Sequence, residues 1–368
     1  MMLPRRKTRQ ILIGSVKVGA DAPISVQSMT KTDTRDIQST VRQIRRLEKA
    51  GCEIVRVAVV DERAAGAIAE IKKRIRIPLI ADIHFHYQLA LKAMEAGADG
   101  IRINPGNIGG SDRLKTLVLK AKELSIPIRI GVNAGSLEKD LLKHFEGATP
   151  EAMVESALRT IDEMEALGFS AIKVSLKASD VLRTAEAYRL FSKRSDVPLH
   201  LGITEAGKGS GAIVKSSIGI GLLLNEGIGD TLRVSLTGDP VEEVKVGYDI
   251  LRALKIRHRG VEIISCPTCG RCEVNLTHLV KKVERTVQKM TIPLTVAIMG
   301  CVVNGPGEAK EADVGIAGGK RAGVLFRRGE IVRKVKEKDF ATVLLNEISQ
   351  MTKEDEPQTS KLKIQNKL

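Results

Sequence analysis

Between residues 24 and 251 a short apolar or β-branched run recurs eight times, each followed by a polar tip and a segment of helical length. The runs are 24–29, 54–59, 79–83, 100–104, 128–132, 171–174, 199–203 and 232–236. Strands buried on both faces read as nearly continuous hydrophobic runs, and parallel sheets covered by helices are built from such strands. The intervening segments carry the helical period: Ile37, Val41, Ile44 and Leu47 fall on one face. Thr149-Pro150 and Asp239-Pro240 each set a capping side chain before a proline whose fixed φ suits a first helical turn. Eight β–α units closing on themselves predict a TIM (β/α)8 barrel. An open doubly wound sheet is the alternative, and no dinucleotide fingerprint supports it.

The barrel pattern stops near residues 257–260, and 368 residues leave room for a second, smaller domain. Its elements read as a strand at 261–264, a helix at 273–290, a strand at 294–299, a hairpin of 324–326 with 331–335, and a helix at 339–351. The predicted organisation is an α/β barrel over 1–257, a small α+β domain over 258–351, and a polar, disordered tail over 352–368. No apolar run approaches the roughly 20 residues of a membrane helix. The basic N-terminus lacks the apolar stretch of a secretory leader. The cysteines form no disulfide framework, which together predicts a reducing cytoplasm.

The formal net charge is +15, yet the chain has no Trp, six Phe and three Tyr. A single-strand nucleic-acid binder needs aromatic platforms for its bases. The charge therefore predicts a small anionic partner rather than a nucleic acid. In a closed barrel the residues at the strand ends line one mouth, where chemistry takes place. Those positions read Gln27 and Ser28, Arg56, Asp82, His84 and His86, Arg102, Asn104 and Asn107, Arg129 and Asn133, Lys173 and Ser175, Thr204 and Glu205, then Arg233 and Ser235. Five strands present a cation there. Any one alone reads as a salt-bridge partner, but the recurrence points to phosphate oxygens gripped by charge-assisted hydrogen bonds. The stretch from Gly202 to Gly209 nearly matches a P-loop but lacks its final Ser or Thr, so it reads as a glycine-rich loop. Glu205, the carboxylate in that loop, reads equally as a general acid–base or as a charge-balancing partner for Lys208 or a rim arginine.

Five cysteines are present. Cys52 lies in an apolar stretch and reads as a small buried hydrophobe. Cys266, Cys269, Cys272 and Cys301 form an uneven set of clustered thiols and one distant thiol. Such a set suits zinc or an iron–sulfur cluster. A zinc ribbon uses two CxxC pairs, whereas the second half here is a lone cysteine, which tilts the reading towards iron. The turn Asn304-Gly305-Pro306-Gly307 can return Glu308 towards Cys301, where a carboxylate is a more replaceable ligand than a thiolate.

These motifs together resemble the family of 4-hydroxy-3-methylbut-2-en-1-yl diphosphate synthases. The resemblance runs from about Arg5 to Met351. It rests on Val26-Gln-Ser-Met-Thr30, Ala81-Asp-Ile-His-Phe-His86, Arg102-Ile-Asn-Pro-Gly-Asn107, Gly131-Val-Asn133, Gly202-Ile-Thr-Glu-Ala-Gly207, Ser265-Cys-Pro-Thr-Cys-Gly-Arg271 and Gly300-Cys-Val-Val-Asn-Gly-Pro-Gly-Glu308. It implies a [4Fe–4S] cluster held by Cys266, Cys269, Cys301 and Glu308, with Cys272 outside the ligand set. It implies reductive opening of 2-C-methyl-D-erythritol 2,4-cyclodiphosphate, with two electrons from flavodoxin or ferredoxin and loss of water. Arg56, Arg102, Arg129, Lys173 and Arg233 then grip the diphosphate, aided by Asn133 and Ser235, with Asp82, His84 and Asn104 in the same substrate-binding set. Glu205 takes the acid–base role, and Asn304 is an active-site asparagine. The resemblance also implies a homodimer. Two other readings stand beside it: a pterin- or phosphate-binding transferase of dihydropteroate synthase type carrying a structural zinc domain, and a nucleic-acid-binding zinc protein.

Overall fold

The computed structural model describes residues 3–84, 86–301, 307 and 311–365, and of 355–365 the backbone only. Contacts divide the chain into two compact units, Met1–Arg257 and His258–Leu368.

The first unit opens with a hairpin absent from the sequence reading, β1 (Ile11–Ile13) and β2 (Val16–Val18). Ile11, Ile13 and Val18 pack on Ile54 and Ile80, near the amino-terminal ends of their strands, so the hairpin closes one end of the sheet. Eight parallel strands follow: β3 (Ser25–Met29), β4 (Ile54–Val59), β5 (Leu79–Ile83), β6 (Gly100–Ile103), β7 (Ile128–Asn133), β8 (Ile172–Lys177), β9 (His200–Leu201) and β10 (Thr231–Leu232). Their order is β8-β7-β6-β5-β4-β3-β10-β9, and a bridge between Val174 and Leu199 closes the ring. The expected eight-stranded barrel is thus present.

Outside the ring lie α1 (Ile37–Ala50), α2 (Glu62–Lys72), α3 (Tyr87–Glu95), α4 (Pro105–Ile108), α5 (Ser111–Glu123), α6 (Lys139–His144), α7 (Pro150–Ala166), α8 (Val181–Arg194), α9 (Gly209–Asn225) and α10 (Pro240–Ala253). Their inner faces follow the sequence period. In α1, Val41, Ile44 and Leu47 are buried, each side chain contributing about 1.5–3 kcal/mol. Thr149 accepts from Ala152 N at 3.2 Å and Asp239 from Val241 N at 3.1 Å, so both expected caps form.

Two strand boundaries differ from the reading in ways that matter for the site. The ladder of β9 and β10 ends early, while Ile203 and Val234 stay buried beyond it. Conversely β8 runs on to Lys177, three residues past the expected end. Its last part alternates polar Ser175 and Lys177 with apolar Leu176, a pattern that a search for unbroken hydrophobic runs cuts short.

The second unit is a five-stranded sheet in the order β11 (Val261–Ser265), β12 (Leu294–Met299), β13 (Val314–Gly319), β14 (Ala322–Arg327) and β15 (Glu330–Lys336). The first three strands are parallel and the rest antiparallel. Helices α11 (Leu276–Val287) and α12 (Phe340–Gln365) cover it through Leu279, Val283, Leu344 and Ile348. Strand β13 escaped the sequence reading because half of it is glycine. A Cβ on Gly315 would lie 2.8 Å from that of Ala297, and one on Gly318 would lie 2.8 Å from Val274, so close packing requires those glycines. The backbone of α12 continues well past Met351 into the segment expected to be disordered. Lys, Glu and Gln are good helix formers, a preference that polarity alone does not reveal. Arg327 pairs with Glu347 at 3.2 Å and with Glu354, holding the start of that extension. Among the described residues no helix is long and apolar enough to cross a membrane.

Candidate functional site

Parallel pairing sets the polar residues of the first unit side by side. Asp82 is in register with Arg102, Arg102 with Arg129, and Arg129 with Lys173. Alternate residues share a face, so Arg56, Asp82, Arg102, Arg129, Lys173, Ser175 and Lys177 all turn inward, and every one is buried. Burying so many charges is expensive unless each finds a partner.

Asp82 is the partner of two. Arg56 Nε lies 3.3 Å from one carboxylate oxygen and Arg102 Nη1 3.2 Å from the other, with His84 Nε2 at 3.7 Å. Burial alone would raise the Asp82 pKa, but Arg56, the His84 hydrogen bond and Arg102 outweigh it and hold the carboxyl well below its usual range. Arg56 also donates to the Met29 sulfur at 3.2 and 3.1 Å. Desolvation, only partly offset by Asp82, brings the Arg56 guanidinium down to about 10. Arg102 Nη2 donates to Gly131 O at 3.0 Å, and a Cβ on Gly131 would fall 2.3 Å from Arg102 Nε. Glycine at 131 therefore makes room for the guanidinium. Two strands round the ring, just past β10, Arg233 Nε meets Glu243 at 3.2 Å, and Glu243 is fully buried on α10.

Three cations have no carboxylate partner among the described residues: Arg129, Lys173 and Lys177. Arg129 donates from Nε and Nη2 to Ser175 Oγ at 3.1 and 2.7 Å. Desolvation and mutual repulsion push all three well below their ordinary pKa values. An anion arriving in the mouth relieves both penalties together.

Lys177 was missed by the sequence reading, which ended β8 too soon. It occupies the rim position there, while Lys173, expected at the mouth, lies four residues deeper, about 13 Å at 3.3 Å per residue. A Cβ on Gly202 would stand 2.6 Å from Lys177 Nζ, so that glycine is where the backbone admits the ammonium. A Lys two residues past an inward Ser, itself two past an inward Lys, was the available signal.

Below the rim lies a second polar tier. Ser25 Oγ, both amide atoms of Gln27, Arg129 Nη1, Lys173 Nζ and His200 Nε2 are buried without a hydrogen-bond partner among the described residues. Each such group left unmet costs about 1–3 kcal/mol. His200 Nδ1 lies 2.6 Å from Thr231 Oγ1, and burial together with Arg129, Lys177 and Lys173 keeps the imidazole well below its usual pKa, hence neutral.

The remaining predicted residues divide. Asn133 and Ser235 are half-buried at the mouth, and His84 is exposed there. Asn104 is already engaged: its Nδ2 donates to Ser136 Oγ at 2.6 Å and its Oδ1 accepts from Gly106 N at 3.2 Å, capping α4. Glu205 is exposed, has φ of +52°, and makes no ion pair or hydrogen bond among the described residues. A non-glycine residue in that region carries about 1–2 kcal/mol of strain, and strained positions cluster at functional loops. The proposed charge balance with Lys208 does not form. Asn304 and Glu308 lie outside the described residues.

In the second unit the parallel register pairs Ser265 with Ile298, so Cys266 and the Gly300-Cys301 step leave the same edge of the sheet. A Cβ on Gly300 would lie 2.4 Å from Cys272 Sγ and 3.5 Å from Cys266 Sγ, so both thiols rest against that glycine. Cys269 is exposed, Cys266, Cys272 and Cys301 are half-buried, and no disulfide joins them. Cys272 Sγ donates to Val274 O at 3.3 Å, which gives this thiol a partner inside the fold. Among the described residues no three His, Cys, Asp or Glu side chains converge as metal ligands. The donor set nevertheless fits an iron–sulfur group: soft thiols leave neighbouring strand ends, one of them open to solvent, with Cys272 turned to the backbone.

Comparison with known proteins follows the same division. Residues 8–248 match the GcpE TIM-barrel domain and residues 262–350 the GcpE protein C-terminal domain. A protein of Thermodesulfovibrio yellowstonii named 4-hydroxy-3-methylbut-2-en-1-yl diphosphate synthase (flavodoxin) is 61% identical, over 94% of this chain and 99% of its own. Proteins of the same name from Caldanaerobacter subterraneus and Geobacter sulfurreducens are 60% and 58% identical, over 96% and 95% of this chain and 100% and 99% of their own. A solved dihydropteroate synthase from Stenotrophomonas maltophilia aligns at a TM-score of 0.49 and 14% identity, covering 67% of this chain and 97% of its own, and is a distant neighbour.

Proposed function

The chain belongs to the GcpE family, and on that premise we propose that it reductively opens 2-C-methyl-D-erythritol 2,4-cyclodiphosphate to 4-hydroxy-3-methylbut-2-enyl diphosphate, an isoprenoid precursor. Two electrons enter, and protons are supplied so that the departing oxygen leaves as water. The observation that carries the binding half is the excess of inward, buried cations over the carboxylates Asp82 and Glu243.

Arg56, Arg102, Arg129 and Arg233 hold the diphosphate, with Lys177 at the rim and Lys173 beneath. Asn133 and Ser235 aid that grip, His84 stands at the same mouth, and Asn104 keeps its loop in place. The Asp82 carboxylate fixes two guanidiniums in position before the substrate arrives, so little reorganisation is needed. Glu205 holds or delivers a proton at the sugar oxygens, its exposed loop giving it contact with solvent protons. Cys266, Cys269, Cys301 and Glu308 would hold a [4Fe–4S] cluster, with Asn304 beside it. Such a cluster, when bound, supplies low-potential electrons at the carbon–oxygen bond. Flavodoxin or ferredoxin is the donor, a second copy of the chain is the assembly partner, and the cytoplasm is the compartment.

The test is anaerobic turnover. Reconstituted protein with chemically reduced flavodoxin and the cyclodiphosphate is followed by phosphorus NMR. Conversion of the cyclic to the linear diphosphate supports the assignment. A reconstituted, coloured protein that leaves the cyclic substrate untouched refutes it.

A further inference from the structure

The outer wall of the barrel carries a concentration of positive charge that has no task in the function above. Arg42, Arg45, Arg46 and Lys49 of α1 and Arg74, just beyond α2, line a cavity of about 450 Å3, with Val41 giving it apolar surface. No carboxylate lines it. All five cations are exposed, whereas Ile44 and Leu47 of the same helix face the core. The cavity therefore lies on the solvent side of α1 and shares no residue with the mouth inside the ring.

An ordinary solvated helix face mixes both signs of charge. Here Arg42 stands three and four residues before Arg45 and Arg46, and Lys49 four and three after them, so every such pair repels by about 0.2–0.5 kcal/mol. Glu48, the one carboxylate in α1, accepts instead from Arg76 N and Ile77 N at 2.7 and 3.3 Å. Asp36, whose charge Arg42 feels, is engaged as the N-cap by Ser39 N at 3.0 Å. Arg46 pairs with Asp239. Arg74 has only Glu70 at 3.8 Å, which Lys73 shares at 2.6 Å. Arg45 Nε donates to Arg74 O at 3.2 Å, which holds that guanidinium between the two elements without neutralising it. Arg42 and Lys49 make no ion pair or side-chain hydrogen bond among the described residues. Lys49 has a local reason in the dipole of the last helical turn, and Arg42 and Arg45 have none.

Size and charge decide what such a place holds. Its volume falls in the range of about 300–1,000 Å3 typical of small-molecule sites. Two turns of a docked peptide helix, about 10–12 Å across, displace roughly 1,000 Å3 and exceed it. The uncompensated charges are those of Arg42, Arg45 and Lys49. A terminal phosphate carries a charge of about −1.5 to −2 at neutral pH and a linked inner one about −1 more, so a diphosphate monoester matches the deficit. Neighbouring positions on the helix set Cβ atoms about 5–6 Å apart, which lets several cations reach one compact ligand. Four of the five cations are arginines, whose forks suit phosphate oxygens. We propose that Arg42, Arg45 and Lys49, with Arg74 beside them, form a binding site for an organic diphosphate on the outer wall of the barrel. The inference does not rest on the reaction assigned above.

Butyl diphosphate, ADP and inorganic pyrophosphate are the probes, titrated by calorimetry into the full-length chain. The parent is expected to show a saturable diphosphate site that the double change Arg42→Gln with Arg45→Gln weakens by at least about 100-fold, since each lost charge-assisted hydrogen bond is worth about 10- to 100-fold. Lys177→Met, at the mouth, leaves that site unchanged. Gln is a good helix former and the change removes like-charge pairs, so the double variant should melt no lower than the parent. Should it fail to fold, Lys49→Gln alone is expected to raise the dissociation constant of the same site about tenfold. Equal affinity for butyl diphosphate and ADP marks recognition of the head group, and preference for one assigns an alkyl or a nucleoside source; either supports the site. A binding isotherm unchanged in the double variant, or a site lost in Lys177→Met, would overturn the proposal. So would pyrophosphate binding without either organic diphosphate, an adventitious anion only, or a blocked triglutamate peptide competing as strongly as pyrophosphate at equal ionic strength.

Discussion

Asp82→Asn removes the counter-charge of two buried guanidiniums while keeping the side-chain shape. At an effective dielectric of about 20, charges 3.3 Å apart attract by about 5 kcal/mol, so the two contacts are worth about 10 kcal/mol gross. Releasing the carboxylate from burial returns several kcal/mol, and breaking such a buried cluster costs about 3–5 kcal/mol net. For a barrel of this size that lowers the melting temperature by about 10 °C. The same change deepens the positive potential of the mouth, so pyrophosphate should stabilise the variant more than the parent. Differential scanning calorimetry with and without pyrophosphate reads both effects in one experiment. A variant melting within about 2 °C of the parent, or gaining no more from pyrophosphate, refutes the view that Asp82 acts chiefly as the counter-charge of the two guanidiniums.

Other expectations follow from the same geometry. Lys177→Met should lower kcat/KM about 10- to 100-fold, chiefly through KM, because a charge-assisted hydrogen bond to substrate is worth about 1.5–3 kcal/mol; steady-state kinetics with unchanged KM would return Lys177 to structure alone. Glu205→Gln should cut kcat strongly and leave melting unchanged, since the side chain is exposed and has no hydrogen-bond or ion-pair partner among the described residues, whereas a fall in stability with intact kcat would mark it as a structural residue. The depressed Asp82 pKa contributes stability that is present above its unfolded value near 3.9 and lost as pH falls through the lower folded value, so urea midpoints should drop in acid less steeply for Asp82→Asn. Lys177 shifts the opposite way: its free-state pKa is lowered and an anion raises it, so pyrophosphate binding should take up protons and weaken as pH climbs through the free-state value, which calorimetry in buffers of different ionisation enthalpy can measure.

Much of the barrel was legible because buried parallel strands leave unbroken apolar runs and because Thr149-Pro150 and Asp239-Pro240 announce their helices. The arginines at one end were legible for the opposite reason: no stability argument places Arg56, Arg102 and Arg129 inside strands. What remained hidden depended on pairing. Lys177 needed the extra length of β8, and β13 needed the knowledge that Ala297 approaches Gly315. The β1–β2 hairpin is too short to show a period. The role of Asp82 as counter-ion needed its register with Arg102, and the commitment of Asn104 to its own loop needed Ser136 beside it.

The central claim joins an anion-gripping barrel to a thiolate-held redox group, and metal analysis of anaerobically reconstituted protein tests it most directly. The account predicts about four irons and four labile sulfides per chain in the parent and in Cys272→Ser, whose thiol is turned to Val274 O, and loss of the visible absorbance in Cys301→Ser. Zinc without sulfide in the parent, or full colour and iron in Cys301→Ser, would contradict it.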